Sequence, residues 1–540
     1  MRLGIDFGTT RIIVAFVDRG NYPIVSFEGP DGAIQEWFPP LVAVKESRRV
    51  YGWEAWAAQE EPGWTVVRSL KRALEGAGPE TIVQIAGLAA PMLQLLGELC
   101  SALRSHLLER SNLPRTDAAH LEVMLGVPAT ANSNQRFLTA EAFRQAGFQV
   151  LGLLNEPSAA AIEFGHRDRT SRRKNAGSQI LVYDLGGGTF DASLVELDEG
   201  EQRVIASEGI AALGGDDFDE VLAELALDSA GLTAPERDAL SQAELFRLHE
   251  ECRARKEGLH PNTRLISVDL GAVREGWEPV SLQATQFYAH CQPLVQETLH
   301  ATEDLLEAHG FGSAGGGHAA AAGEQNLDAL YVTGGGSDLP IVGRMLREVF
   351  GRRVKRSAYT RSATAIGLAI QADAQAEYVL RDKLTRHFGV WRQADSGRSV
   401  IFDSLFSRGT PLPAPGQPPL LRTRQYTPAH NIGHFRYLEC SHLTDDGRPT
   451  GDMTVWDDIR FAFDPALHNH PDLGKLPVLP LDPGLRPQVE ETYSCDSSGT
   501  LKVKVSNLSN GYDRTFRLGC WTASETRIAP GRKRRSSPRQ

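Results

Sequence analysis

The sequence lacks the features of a secreted or membrane-spanning protein. Its 6 cysteines are scattered without a C-x-x-C pair, which predicts a fold without disulfides in a reducing compartment. The first residues, MRLGIDFGTT, lack the basic and then apolar pattern of a signal peptide. The longest apolar stretch, Ile82 to Cys100, is interrupted by Gln84, Gln94 and Glu98, so it predicts an amphipathic helix and not a membrane span. We therefore expect a cytoplasmic protein without a membrane partner.

Excess positive charge and a Walker-type phosphate loop are also missing. The 57 basic and 68 acidic residues give a net charge of −11, which argues against a nucleic-acid partner. No G-x-x-x-x-G-K-[ST] segment occurs, so a P-loop enzyme is excluded. The basic segments 167–174 and 531–535 lack interleaved aromatic residues, and a solvated surface is the favoured interpretation. His468 and His470 have no further ligand spacing, which favours a solvated loop over a metal site.

Two segments far apart in the chain share one plan. Leu3 to Asp18 and Leu181 to Leu197 each contain an apolar strand, an aspartate, a glycine turn with threonine and a second apolar strand. Asp6 and Asp184 occupy equivalent places in the two copies. This self-similarity predicts two related half-domains, each with a tight strand–turn–strand at its edge.

The order of predicted strands and helices indicates an α/β protein with a second, β-rich part. A strand is predicted at Leu121 to Val127, and a helix at Asn134 to Ala146 that ends at Gly147. After about Tyr378 prolines increase and period-2 alternation replaces helical periodicity. The predicted divisions are an α/β domain at 1–376, a linker at 377–386, a β-rich domain at 387–520 and a disordered basic tail at 521–540.

The glycine turns are suited to binding phosphate, because glycine lets backbone N–H groups approach a ligand closely. One such turn contains Gly8, Thr9 and Thr10, and the other runs from Gly186 to Thr189. Asp6 and Asp184, at the preceding strand ends, are candidates to hold Mg²⁺ through its water molecules. A single copy would be explained by an ordinary tight turn. Two matched copies and a third glycine turn predict a nucleotide cleft.

At the level of whole motifs, the sequence resembles the heat shock protein 70 (DnaK-like) chaperones of the actin and sugar-kinase superfold. The segments that carry the resemblance are IDFGTT, SLKRALEG, VPATANSNQR, LLNEPSAAAIEFG, DLGGGTFD, LGGDDFD and VTGGGSDLP. The resemblance extends to about Ala374 and continues more weakly from Arg381 to Leu518. It implies a two-lobed actin-like ATPase domain of duplicated ribonuclease-H-like halves, followed by a β-sandwich-like domain. It also implies ATP and Mg²⁺ as cofactors and ATP hydrolysis coupled to peptide binding.

The resemblance assigns roles to individual residues. Lys71 matches the catalytic lysine, which would stabilise charge on the transferring phosphoryl group; an exposed helix lysine is the alternative. Glu156 matches a cleft glutamate, and a helix-capping carboxylate is its alternative. The assigned catalytic residues are Lys71, Glu156, Thr189 and Asp184; the nucleotide-binding residues are Gly8, Thr9, Thr10, Gly186, Gly187, Gly188, Thr189, Gly214, Gly215, Lys256, Gly335, Gly336 and Ser337; and the metal-binding residues are Asp6, Asp184 and Asp191, with K⁺ as a further candidate ion near Thr189 and Asp191.

The chain departs from the family pattern where the nucleoside would be held. Lys256 is kept, but Arg253, Glu257 and His260 replace the glutamate, arginine and serine of the family's helix. Leu339 stands where the family has an arginine, and Arg361 stands where the family has an aspartate. We therefore expect ATP as ligand, with altered affinity and base selectivity.

The second domain resembles a reduced peptide-binding β-sandwich. Leu384 to Gln393 and Ser404 to Pro413 match its first two strands, and Val489 to Val505 predicts a hairpin around a DSSG turn. The family's acidic-apolar linker is replaced by Glu377 to Arg386, which keeps only a Val-Leu step, and the helical lid and the acidic tail are expected to be absent. A sandwich without a lid predicts fast peptide exchange.

Together these features predict an ATP-hydrolysing chaperone for unfolded or extended polypeptides, with J-domain and nucleotide-exchange co-chaperones as candidate partners. One alternative is a nucleotide-gated regulatory or adaptor protein without a refolding cycle. A second alternative is a small-molecule kinase of the same superfold.

Overall fold

The computed structural model describes residues 1–68, 70–78, 81–114, 120–167, 178–197, 201–311, 327–376, 379–394, 399–413 and 417–517. The predicted basic tail at 521–540 lies outside the described residues, as does the start of the predicted linker at 377–378. Within the described part, no helix has both the length and the apolar character that crossing a membrane requires. Cys100, Cys252, Cys291, Cys440 and Cys495 are buried with free thiols.

The first lobe (residues 1–167) is built on a four-stranded sheet in the order β11–β10–β1–β2. Its strands are β1 Arg2–Phe7, β2 Ile12–Phe16, β3 Phe27–Glu28, β4 Ile34–Gln35, β5 Val42–Lys45, β6 Arg48–Tyr51, β7 Thr65–Val67, β8 Ile82–Ile85, β9 Leu88–Pro91, β10 Glu122–Val127 and β11 Gln149–Asn155. Its helices are α1 Trp53–Ala58, α2 Met92–Glu109, α3 Ser133–Gln145 and α4 Glu156–Arg167. Strand β1 pairs antiparallel with β2 and parallel with β10, so its carboxyl end meets the β1–β2 turn.

The second lobe (residues 178–356) repeats this plan around a six-stranded sheet in the order β18–β17–β12–β13–β14–β19, in which β19 is the linker strand Val379–Arg381. Its strands are β12 Ser178–Leu185, β13 Phe190–Leu197, β14 Glu201–Ile210, β15 Leu265–Val268, β16 Val280–Gln283, β17 Ala329–Thr333 and β18 Val354–Arg356. The helices from here to the end of the ATPase part are α5 Gly215–Ser229, α6 Ala234–Asp238, α7 Gln242–Glu257, α8 Ala284–Glu307, α9 Pro340–Phe350 and α10 Ala363–Ala372. Because β12 pairs with β13 as β1 pairs with β2, the predicted duplication is confirmed.

The predicted strand and helix between the two copies are also confirmed. Strand β10 covers the predicted segment, and α3 begins and ends within one residue of its predicted bounds. The side chains of Asn132 and Gln135 each accept a hydrogen bond from the other residue's backbone N–H, which caps the start of α3. Gly147, at φ 85°, ends the segment as predicted.

The single amphipathic helix predicted from Ile82 to Cys100 is wrong. Its first half forms the hairpin β8–β9, and helix α2 starts at Met92. The turn consists of Ala86 and Gly87, both with positive φ (49° and 85°), which a helix does not allow. The apolar residues are buried in either arrangement, so hydrophobicity alone does not distinguish the two.

The C-terminal part forms two four-stranded antiparallel sheets, in the orders β21–β20–β23–β24 and β22–β25–β26–β27. Its strands, with the linker strand β19 before them, are β19 Val379–Arg381, β20 His387–Ala394, β21 Ser399–Phe406, β22 Leu420–Tyr426, β23 Ile432–Leu443, β24 Pro449–Ala462, β25 Val489–Cys495, β26 Leu501–Asn507 and β27 Tyr512–Arg517. The buried side chains of both sheets form one core, as in a sandwich. The predicted hairpin is β25–β26, with Gly499 at φ 72° in its turn.

The segment that replaces the family's acidic-apolar linker packs on the ATPase domain. Strand β19 pairs in parallel with β14 and forms an edge of the six-stranded sheet. Leu380 is buried in the core between this sheet and α4, and Asp382 is buried just beyond the strand. A short apolar step is therefore sufficient for docking, because the backbone supplies the strand pairing.

Candidate nucleotide site

A cavity lies between the two lobes and is lined by both glycine loops. The first lobe contributes the β1–β2 turn, Lys71 and Glu156, whereas the second contributes the β12–β13 turn and the end of α7. Residues of the turn after β17 and of the segment before α10 complete the wall.

The two glycine loops face each other across the cleft with almost no space between them. A Cβ added to Gly188 would lie 2.7 Å from Thr9 Oγ1, and one added to Gly187 would lie 2.6 Å from Thr10 Cγ2. The second loop is closed by a hydrogen bond of 2.9 Å from the Gly186 N–H to the Thr189 carbonyl. Glycine is therefore required sterically at the point where two phosphate-type turns approach one ligand position.

A lysine surrounded by carboxylates lies beside these loops. Lys71 Nζ is 2.6 Å from Glu156 Oε1, and the two side chains are 9% and 10% exposed. Burial and then the charge of Glu156 raise the pKa of Asp6 and of Asp191 to about 7. The same causes raise the pKa of Asp184 well above its usual range. The single lysine does not balance this negative charge, so the position favours an additional cation.

Helices α5 and α7 carry their own ion pairs beside the second glycine loop. Lys256 Nζ is 2.6 Å from Asp219 Oδ1 and 2.6 Å from the Gly215 carbonyl oxygen. Arg253 lies 3.4 Å from Asp216, on the same wall. Lys256 is thus anchored to the start of α5 and fixes α7 beside the second glycine loop.

A charged bridge crosses from one lobe to the other at the last residue of α7. Glu257 Oε2 is 2.7 Å from Arg11 Nη2 of the first lobe and 3.2 Å from Arg361 Nη1. The Arg11 guanidinium also lies 5.0 Å from the centre of the Trp37 ring, a cation–π contact that fixes its position. Arg361 contacts Asp338 as well, at 3.2 Å. We call Arg11, Glu257 and Arg361 the cross-lobe bridge.

The structure brings most of the predicted site residues together around the cavity. The predicted residues that line it are Asp6, Gly8, Thr9, Thr10, Lys71, Glu156, Asp184, Gly186, Gly187, Thr189, Gly215, Lys256, Gly335 and Gly336. Gly188, Gly214, Asp191 and Ser337 are not part of the lining. Asp191 instead accepts a hydrogen bond of 2.9 Å from the Ala129 N–H. The Ser337 hydroxyl donates to the Gly334 carbonyl oxygen at 2.6 Å, and so holds the glycine turn.

Some residues at the site were not predicted from the sequence. Arg72 donates to Asp217 at 2.7 Å and to the Gly188 carbonyl oxygen at 3.2 Å, so it joins the first lobe to the second loop. Arg11 and Thr360 line the cavity. Arg72 and Arg11 could have been predicted as site residues, because they directly follow the motif residues Lys71 and Thr10. Thr360 lies in no motif, so no such signal pointed to it.

Comparison with known proteins gives matches along almost the whole chain. The family model described as Hsp70 protein matches residues 115–383. The chaperone protein HscA of Klebsiella pneumoniae is 33% identical over 538 residues, which cover 95% of this chain and 77% of the relative. An HscA homologue of Tolumonas auensis is 30% identical over 432 residues, which cover 76% of this chain and 64% of the relative. The chaperone protein DnaK of Mycoplasma mycoides is 27% identical over 529 residues, covering 96% and 79% of the two chains.

The fold and the cleft define a two-lobed α/β nucleotide-binding ATPase domain followed by a β-sandwich. With the relatives above, they identify the class as ATP-dependent chaperones. The chain belongs to the Hsp70 family. The predicted fold class, chaperone type and ATPase activity are therefore confirmed, whereas the roles of the individual residues remain predictions.

Proposed function

We propose that this chaperone hydrolyses Mg²⁺-bound ATP and couples its nucleotide state to the binding of extended polypeptide by the β-sandwich. One observation carries the proposal: a chain of buried hydrogen bonds joins the linker to the residue preceding Glu156. We further infer that it acts in the cytoplasm with J-domain and nucleotide-exchange co-chaperones. The free buried thiols support this location.

The carboxylates at the phosphate end fit a magnesium ion. Asp6 and Asp184 line the cavity, and burial, followed by the charge of Glu156, raises the pKa of both carboxyls. Within the described residues, no three potential ligands come close enough to hold a metal ion directly. Mg²⁺ would therefore be held by Asp6 and Asp184 through its water shell, as this ion prefers. When bound, it would neutralise phosphate charge. Asp191 is the candidate position for K⁺.

The remaining chemistry falls to the side chains of this chain. Although burial opposes the charged form, Glu156 and Asp6 raise the pKa of Lys71, so the lysine is protonated at neutral pH. A fixed ammonium at this position stabilises negative charge that develops on the transferred phosphoryl group. Glu156 orients the lysine at 2.6 Å, and Thr189 contributes a hydroxyl at the second loop. Water would be the acceptor.

The chain of hydrogen bonds starts at Asp382, directly after β19. Asn155 Nδ2 donates to Asp382 Oδ2 at 2.8 Å, and Arg136 Nη2 donates to Asn155 Oδ1 at 2.5 Å. Asn155 is fully buried and is followed by Glu156, the partner of Lys71. Because buried polar groups are costly to leave unpaired, docking of the linker and the position of Glu156 depend on each other.

The sandwich also contacts the ATPase domain directly. Glu439 of β23 accepts a hydrogen bond of 3.0 Å from the Ser133 N–H, at the start of α3, and another from the Ser133 hydroxyl. The Ser498 hydroxyl accepts from the Leu153 N–H at 3.1 Å. Arg408 lies 2.8 Å from Glu208 of β14. These contacts support a docked arrangement in which movement of the lobes alters the sandwich.

The proposal is tested by single-turnover hydrolysis of ATP with Mg²⁺, with and without an unfolded polypeptide. We expect polypeptide to accelerate hydrolysis by the intact chain. Lys71→Ala should slow hydrolysis by about 10²–10³, as for other fixed groups that stabilise transition-state charge. Lys475→Ala, at a side chain that is 84% exposed, is the matched control and should change nothing. Hydrolysis that is independent of Lys71, or ATP that binds but is not cleaved, would contradict the catalytic assignment.

A second candidate function, a nucleotide-gated regulatory protein, is favoured by one feature of the sandwich. Arg424 of β22 donates to both oxygens of Asp403 of β21, at 2.8 and 2.9 Å, and so ties the edge strands of the two sheets together. Behind this pair, Arg392 contacts the fully buried Glu491 at 2.6 Å. Such an ionic interior is less suited to an apolar peptide side chain. Hydrolysis at one rate with and without polypeptide would favour this function.

A further inference from the structure

The geometry of the cavity indicates which end receives the base of a nucleotide. The two glycine loops, Lys71 and the carboxylates occupy one end, where phosphates and a metal ion belong. A nucleotide extends its base away from its phosphates, so the base must reach the opposite end. That end is lined by the side chains of the cross-lobe bridge.

The lining of this end is charged and lacks aromatic rings. Among the described residues that line the cavity, none is aromatic, and Ile13 is the single large apolar side chain. A base at this end would be recognised by hydrogen bonds and guanidinium contacts, and not by stacking between rings.

Glu257 is positioned to make such hydrogen bonds. Its Oε2 accepts from Arg11 at 2.7 Å and from Arg361 at 3.2 Å, whereas its Oε1 accepts no hydrogen bond from the described residues. Its side chain is 27% exposed. Although partial burial acts in the opposite direction, Arg11 and Arg361 lower the pKa of the Glu257 carboxyl, which is therefore ionised at neutral pH.

The two purines differ in what they offer to a carboxylate beside guanidinium groups. Guanine presents two N–H donors on one edge and the acceptors O6 and N7 on the other, which match a carboxylate and an arginine. Adenine presents a bare ring nitrogen with a lone pair in place of one of those donors. A carboxylate facing that lone pair gains no hydrogen bond and is left partly unpaired.

We propose that Glu257 and Arg361 form a base-recognition site that accepts guanine, so that the cleft binds guanine nucleotides as well as adenine nucleotides. The proposal rests on the nucleotide site proposed above and extends it to the base. Arg11 acts as a positioning residue, because it fixes Glu257 from the opposite lobe.

The test compares the binding of GDP and ADP, each with Mg²⁺, to the intact chain by calorimetry. Diphosphates are used so that hydrolysis does not affect the comparison. We expect GDP to bind within tenfold of ADP, or more tightly. Glu257→Gln replaces an acceptor with an amide. It should weaken GDP binding at least tenfold and leave ADP binding unchanged or tighter. Glu224→Gln, on the exposed face of α5, is the matched control and should alter neither.

Two results would overturn the proposal and leave the ATPase site intact. One is GDP binding more than a hundredfold weaker than ADP. The other is an equal loss of affinity for GDP and ADP in Glu257→Gln, which would mean that the cross-lobe bridge holds the lobes together without recognising the base. Binding of neither nucleotide to the intact chain would instead refute the nucleotide site itself. Retained ADP binding by Glu257→Gln serves as evidence that the variant is folded.

Discussion

The hydrogen bonds around Asn155 lead to a quantitative prediction about the linker. Asn155→Ala removes the donor to Asp382 at 2.8 Å and the acceptor for Arg136 at 2.5 Å, both in a buried position. One of these bonds crosses from the ATPase domain to the linker, and its acceptor is a carboxylate. A hydrogen bond to a charged group contributes about 1.5–3 kcal/mol. Loss of about 2 kcal/mol would shift the balance from docked to released linker by a factor of about 30.

Trypsin cleavage measures this balance, because the linker itself contains the cleavage sites Arg381 and Lys383. Cleavage follows the released population when docking and release are fast relative to the protease. We therefore expect the linker of Asn155→Ala to be cut about 30-fold faster, with the linker sequence unchanged. Asn262→Ala, at an exposed position before β15, should be cut at the unmodified rate. Equal cleavage of Asn155→Ala and the unmodified chain would show that this hydrogen bond does not hold the linker.

Three further predictions concern the loops, the metal and the domain contact. Gly188→Ala places a Cβ about 2.7 Å from Thr9 Oγ1, so we expect ADP affinity to fall at least tenfold by calorimetry and the Tm without nucleotide to fall as well. Mg²⁺ alone should raise the Tm of the intact chain, because it neutralises the carboxylates, and Asp184→Asn should reduce this rise; an unchanged rise would contradict the assignment. Glu439→Ala leaves the Ser133 N–H without an acceptor, which costs about 1–3 kcal/mol, and should accelerate trypsin cleavage of the linker. Glu439→Gln retains an acceptor and should accelerate cleavage less.

The fold was predictable from the sequence where local turn chemistry determines it. Glycine and aspartate at matched spacings encode tight turns at strand ends, and so the two phosphate loops and their duplication were predicted. The segment from Ile82 to Cys100 was not, because its apolar residues suit a helix or a hairpin and the turn at Ala86 has no strong signal.

The candidate site was predictable to the same extent. Residues within motifs, such as Lys71 and Glu156, lie together as expected. The cross-lobe bridge was not predicted as a unit, since Arg11 and Glu257 are brought together by the closure of two lobes and not by sequence spacing. The pairing of the linker with β14 could not be read from the sequence for a related reason: strand pairing uses backbone groups, which the side-chain pattern of the linker does not reveal.

The linker strand also bears on how the chain avoids association with itself. Strand β19 pairs with β14 through the three residues Val379, Leu380 and Arg381, and forms the margin of the six-stranded sheet. Release of the linker would leave backbone N–H and C=O groups of β14 without partners at a new sheet edge, and such edges recruit strands from other chains. Because the pairing is short, the uncovered edge is short as well. Release of the linker would therefore add only this three-residue stretch to the exposed sheet edge.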